Sequence, residues 1–259
     1  MPELVTEDAT LHVEVDGEGE PVTVVAHGLP SSCRELARLT PLVPGTKVRF
    51  CFRGHGHSSS PERGYCFADF GRDLSAVADA YGAHNAVGTS LGAGAICNLV
   101  AAHPERFGKL VLLLPAGLDL PFLDKERLLR TARLMEGKTA DEAIEALLAD
   151  PDRLAGYVMA PWMRDFDREL LQALNPVGVP RAIREVIEDQ PLRDREQMRA
   201  VNAPTLMICR EGDVIHPAEI GRILVKIMPN AELMLFEDGI QMYQSIPEIV
   251  ARVREFLLS

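Results

Sequence analysis

No histidine follows His216 in this 259-residue chain, and no CxxC pair, GxGxxG fingerprint or Walker loop occurs anywhere in it. Each absence removes a class of chemistry. The five cysteines (Cys33, Cys51, Cys66, Cys97 and Cys209) are scattered and odd in number, which makes a poor disulfide framework and a poor zinc site. Carboxylate–histidine spacings suited to a metal are missing as well, so no metal is expected. Without a glycine-rich phosphate cradle there is no reason to expect a nucleotide, and no cofactor is expected. No apolar run reaches the roughly 18 residues a membrane helix needs. The opening MPELVTEDATLHVEVDGEGE is acidic and has no apolar core, so no signal peptide is expected and a reducing cytoplasm fits best. With 27 Lys and Arg against 38 Asp and Glu, the net charge of −11 leaves no basic stripe for a nucleic acid.

What remains has the profile of an ordinary globular protein, 47% hydrophobic and 25% charged, long enough for one α/β domain with an insertion. Strand patterns occur at ATLHVEVD, PVTVVAHG, KVRFCF (47–52), HNAVG (84–88), KLVLLLPAG (109–117), APTLMICREGD (203–213) and AELMLFED (231–238). Helical spacing occurs in SSCRELARL, ADFGRDLSAVADAYG and LGAGAICNLVAAHP, from Pro217 to Met228, and in PEIVARVREFLL. Continuous apolar strands alternating with helices predict a mostly parallel, doubly wound sheet covered on both faces. From Leu118 to about Arg195 the strands stop, and KERLLRTARLMEG, TADEAIEALLAD, RDFDRELLQALN and PRAIREVIED read as amphipathic helices. The predicted organisation is an α/β core of residues 1–117 and 196–259, with a helical lid at 118–195.

Ser90 stands in Gly88-Thr89-Ser90-Leu91-Gly92, between the end of a strand and the start of a helix. A sharp strand-to-helix turn exposes a serine hydroxyl, and glycines two residues either side remove the side chains that would clash. The helix that follows aims its free N–H groups at the serine, where they can stabilise an oxyanion.

Four motifs in order resemble the α/β-hydrolase superfamily over nearly the whole chain. AHGLPSS (26–32) resembles its oxyanion loop, FRGHGHSSSP (52–61) its RGxGxS loop, GTSLG its nucleophile elbow and REGDVIHP (210–217) its acid loop. The resemblance implies an α/β-hydrolase fold with Ser90 as nucleophile, Asp213 as the acid, and oxyanion N–H groups from Leu91 and Leu29. Pro30 has no N–H to offer. His27 is assigned to holding the oxyanion loop, and His55 and His57 to shaping the RGHG loop. The Asp that the family places two residues before Arg53 is Cys51 here, so that ion pair is expected to be missing.

The family's catalytic histidine follows the last strand, about eight residues before a Pro-Glu pair. Pro247-Glu248 is present, but Ile240 occupies the histidine's place. Losing a triad's base typically removes on the order of 10⁶ from kcat. Three readings follow. His216, three residues from Asp213, serves as a substitute base, its null being a mere helix-terminal residue beside Pro217. Alternatively the pocket works as a lyase, cyclase or isomerase that needs no serine alkoxide. Or the protein binds a ligand without turning it over. His84 and His103 are remote from the elbow.

In the lid, Trp162, Met159 and Met163 are read as packing onto the sheet, or else as lining an apolar cavity, with Trp162 as the substrate-binding candidate. Asp165, Asp167 and Glu169 are read as a solvated face. The favoured function is a hydrolase-like enzyme acting on a small, mainly apolar ester, thioester or lactone. Its expected partner is a small-molecule substrate or ligand, with no nucleic acid and no membrane; a homodimer is one assembly the composition permits.

Overall fold

The structure, a computed structural model, describes residues 2–38 and 43–259. Eight strands form one sheet: β1 (Glu3–Val5), β2 (Thr10–Asp16), β3 (Val22–Ala26), β4 (Thr46–Phe50), β5 (Asn85–Thr89), β6 (Lys109–Leu113), β7 (Thr205–Arg210) and β8 (Ala231–Phe236). Their spatial order is β1-β2-β4-β3-β5-β6-β7-β8. β2 runs antiparallel to both neighbours, and every pair from β4 to β8 is parallel. The three residues of β1 are too few to carry a strand pattern and were not anticipated.

Strand side chains alternate between faces, and the apolar ones divide accordingly. Val24, Ala26, Ala86, Leu110, Leu112 and Met207 join the larger core, together with α1 (Phe67–Ala80), α2 (Leu91–Ala102) and α8 (Ala218–Ile227). Val25, Val87, Val111, Leu113, Leu206 and Ile208 face α10 (Ile246–Leu258) through Ile249, Val253 and Phe256. Both faces are therefore dry, which explains why these strands read as continuous apolar runs.

Between β6 and β7 lie only helices: α3 (Lys125–Met135), α4 (Ala140–Leu148), α5 (Pro151–Met159), α6 (Met163–Leu170) and α7 (Gly178–Val186), then a 3-10 turn at Arg195–Ala200. α5 was not anticipated as a separate helix, although Asp150 caps it with Pro151 in its first turn. No helix among the described residues is long and apolar enough to cross a membrane.

Four readings of the sequence need correction. SSCRELARL forms only a 3-10 turn at Glu35–Arg38, and its last residue, Leu39, lies outside the described residues. Arg53 does have an ion pair: α1 supplies Asp73, 2.7 Å away and fully buried, in place of the missing aspartate on its own loop. Asp167 is not solvated but buried against the Tyr157 hydroxyl (2.7 Å) and Arg153. Met159, the last residue of α5, and Trp162, which precedes α6, are 75% and 45% exposed, so neither packs onto the sheet.

α2 crosses the sheet at very short range. A Cβ on Gly92 would sit 2.3 Å from the Ala26 carbonyl oxygen, and one on Gly88 would sit 2.7 Å from the Gly92 carbonyl carbon. Gly92→Ala should therefore destabilise the fold by about 1–3 kcal/mol, the usual range for an overpacked core. A denaturant titration with an unchanged midpoint would show that the elbow tolerates the methyl group.

Candidate active site

Ser90 occupies the sharp turn between β5 and α2 with φ 50° and ψ −112°, a conformation that costs a non-glycine residue of order 1–3 kcal/mol. Surrounding hydrogen bonds hold it there. The Ser90 N–H donates to Leu113 O (3.0 Å), and its carbonyl accepts from Gly94 N (3.0 Å). The strain lifts the hydroxyl out of the sheet and leaves the Leu91 N–H at the start of α2, where no carbonyl one turn back can reach it.

The Ser90 Oγ lies 2.8 Å from His216 Nε2, and His216 Nδ1 lies 3.1 Å from Asp213 Oδ2. The sequence explains why base and acid fit on one four-residue stretch. Asp213 Oδ1 accepts the backbone N–H groups of Ile215 and His216, each at 3.0 Å, an Asx-type turn that curls the loop over its own carboxylate. Pro217 then restricts the backbone of His216 to extended conformations. With Nδ1–H donating to Asp213, Nε2 is left as an acceptor for the serine proton.

Arg210 donates to the same Oδ2 through Nε (2.9 Å) and Nη2 (2.7 Å). Burial alone would raise the Asp213 carboxyl. The hydrogen bond and charge of His216, with the charge of Arg210, outweigh that and hold it well below the usual carboxylate range.

Ile240, in the place of the family's histidine, falls in the first turn of a short helix, α9 (Gly239–Gln244), and is 38% exposed. Asp238 caps this helix by accepting from Gln241 N at 2.8 Å. The cap, Asp-Gly-Ile-Gln, was legible in the sequence but went unread because the segment was searched only for a histidine.

On the other side of the serine, His27 bridges the Gly28 carbonyl (Nδ1, 2.9 Å) and the Phe52 N–H (Nε2, 3.0 Å). This pairing fixes a neutral ring that donates from Nδ1. Burial, with the neighbouring His55, pushes His27 down to about 3, which suits a neutral structural residue. A Cβ on Gly28 would lie 2.9 Å from Ser90 Cβ and 3.3 Å from Glu35 Oε2, so the loop passes close against the nucleophile. The Leu29 N–H has no partner among the described residues. The Gly28 N–H donates to Glu35 at 2.5 Å, and burial pushes that carboxyl up to about 7 despite the opposing effect of the hydrogen bond. Glu35 was missed because a single acid in a helix-like stretch carries no signal.

A cavity of about 510 Å³ opens beside His216, between its loop and the helical insertion. Leu29, Leu128, Ile183, Val214 and Ile215 give it an apolar surface. Trp162 does not line it. Its ring packs edge-on against Tyr243, with centroids 5.5 Å apart. Thus Ser90, His216, Asp213, Leu91 and Leu29 are brought to one place, and Trp162 is not.

Residues 24–240 match the alpha/beta hydrolase fold family. The AB hydrolase superfamily protein YisY of Bacillus subtilis is 28% identical over 244 residues, covering 90% of this chain and 89% of that protein. Among solved structures, a hydrolase from Pseudomonas aeruginosa is similar with a TM-score of 0.80 at 24% identity, covering 100% of this chain and 98% of its own. The enol-lactonase from Burkholderia xenovorans is similar with a TM-score of 0.81 at 19% identity, covering 100% of both chains. At these identities the two structures speak to the fold alone.

Glu35 makes stability depend on pH in a definite direction. Between the ordinary glutamate range and about 7, the folded protein keeps its proton while the unfolded chain has lost it. Stability due to this group therefore falls as pH rises through that window and levels off above it. Glu35→Gln should gain melting temperature relative to wild type as pH rises from about 5 to about 8. A difference that stays constant with pH would mean Glu35 titrates normally.

Proposed function

The chain belongs to the alpha/beta hydrolase fold family, and from that premise we propose that it is a serine hydrolase whose catalytic triad is Ser90, His216 and Asp213. The observation that carries the proposal is the 2.8 Å contact between Ser90 Oγ and His216 Nε2. The substrate is a small ester, thioester or lactone with an apolar body, seated in the cavity beside His216 under a lid formed by the 118–195 insertion.

In the first step His216 Nε2 takes the Ser90 proton as Oγ attacks the carbonyl carbon. The N–H groups of Leu29 and Leu91 receive the oxyanion. Asp213, held ionised, stabilises the imidazolium through Nδ1–H without itself taking a proton. The imidazolium then protonates the leaving oxygen or sulfur, and the acyl group stays on Ser90. A water deprotonated by His216 attacks the acyl-enzyme, the serine regains its proton, and the acid is released. The ligand-binding reading rested on the base being lost, so a histidine in contact with Ser90 favours the hydrolytic one.

Labelling with a fluorophosphonate probe and turnover of short-chain esters test the assignment. Wild type should label and Ser90→Ala should not. His216→Ala should lose on the order of 10⁴ or more in kcat, whereas Ile240→Ala should retain activity. A wild-type protein that neither labels nor turns over any of these esters at any pH would overturn the proposal.

A further inference from the structure

We infer that the substrate carries a carboxylate, and that Arg127 and Arg153 of the helical insertion receive it; this rests on the hydrolytic reading above. The cavity beside His216 is lined by apolar residues, but three arginines also line it: Arg127 from the first turn of α3, Arg153 from the first turn of α5, and Arg210 at the end of β7. An apolar substrate alone gives no reason for cations on that wall.

The three arginines are not equivalent. Arg210 is committed to Asp213 by two hydrogen bonds. Arg153 uses Nη1 on Asp167. Arg127 meets Asp152 only through Nε at 3.5 Å, and Asp152 is held more closely by Arg130.

Direction matters as much as number. The acids that balance Arg127, Arg130 and Arg153 (Asp150, Asp152 and Asp167) line a second cavity of about 270 Å³ and not the one beside His216. Arg127 and Arg153 line both cavities, so they stand between the space beside His216 and the carboxylates that balance them. The acids that do line the triad's cavity are each engaged: Glu211 by Arg222, Asp213 by Arg210 and His216, and Asp238 by the Gln241 N–H. Among the described residues, none of them forms an ion pair with Arg127. A planar carboxylate matches the guanidinium fork with two parallel N–H···O bonds. Leu29, Leu128 and Ile183 would hold the carbon chain between that acid and the scissile carbonyl.

The test compares the monoethyl esters of succinate, glutarate and adipate with ethyl butanoate, pentanoate and hexanoate, followed by proton release. The best monoester should exceed its uncharged counterpart in kcat/KM by about tenfold or more, the size of a charge-assisted contact. Arg127→Gln should erase most of that ratio, chiefly through KM; Arg153→Gln should do the same, with a thermal melt to check that Asp167 survives unpaired. Uncharged esters that react equally well, or a ratio unchanged in Arg127→Gln, would overturn the inference. If no ester of either kind is turned over, fluorophosphonate labelling of wild type judges the hydrolytic reading, and calorimetric titration with adipate judges the acid site. Adipate binding weakened about tenfold in Arg127→Gln upholds the site; no heat with wild type at millimolar adipate refutes it.

Discussion

Asp213 closes a hydrogen-bonded turn on its own loop, with Oδ1 taking the N–H groups of Ile215 and His216 and Oδ2 taking the His216 ring. Backbone shape and catalytic orientation thus depend on a single carboxylate. In the arrangement the family resemblance led one to expect, acid and base stand on different loops, and each loop must be ordered separately against the other. Here three residues separate them, so the conformational entropy of bringing them together is that of one tight turn. The carboxylate stays ionised for this work because His216 and Arg210 outweigh its burial. A protonated Asp213 would give up both the charge that stabilises an imidazolium and much of its capacity to accept these bonds.

The sheet determines how far that loop has to reach. Ser90 follows β5 and the 211–217 loop follows β7, with β6 between them. Strands two places apart are about 10 Å from one another, a span that a serine and a histidine leaning inward can close. The end of β6 must stay out of the way. Leu114, at φ 44°, turns the chain there while its N–H still bonds Ile208 O at 2.8 Å. Among the described residues, Ser90 and Leu114 are the two non-glycine residues with positive φ, and they follow neighbouring strands. In the proposed triad one raises the serine hydroxyl and the other turns the end of β6 away from the path between Ser90 and His216.

Much of the core was legible in the sequence because its information is periodic. Two dry faces write continuous apolar strands, and the small residues of GTSLGAG write a helix pressed against backbone. The places of Ser90, His27 and Asp213 came from the resemblance of their motifs to the family's. What the sequence hid depends on direction. Whether His216 faced the serine or merely opened a helix rested on an Asx turn whose hydrogen bonds leave no mark in spacing. Arg53 found its partner twenty residues away on α1, and Asp167 in the insertion proved to be buried under Tyr157. Charged residues on amphipathic helices read alike whether they meet water, a partner or a cavity, which is why the arginine wall went unseen.

With His216 as the proposed base, the segment after β8 is left to another role. Residues 239–244 no longer have to present a histidine, and they coil into α9 with Ile240 turned toward solvent and Tyr243 packed against Trp162 and Phe166 of the insertion. The space beside the acid has been taken as well, since a Cβ on Gly239 would lie 2.7 Å from Arg210 Nη1. Arg210 and His216 together fill the accepting side of Oδ2, where a histidine arriving from the β8 end would have to bind. A histidine arriving from there would meet an Oδ2 that already accepts from Arg210 Nε, Arg210 Nη2 and His216 Nδ1. On the proposed triad, Ile240 and His216 belong to one arrangement: the base stands on the acid's own loop, and the segment after β8 is left to pack against the insertion.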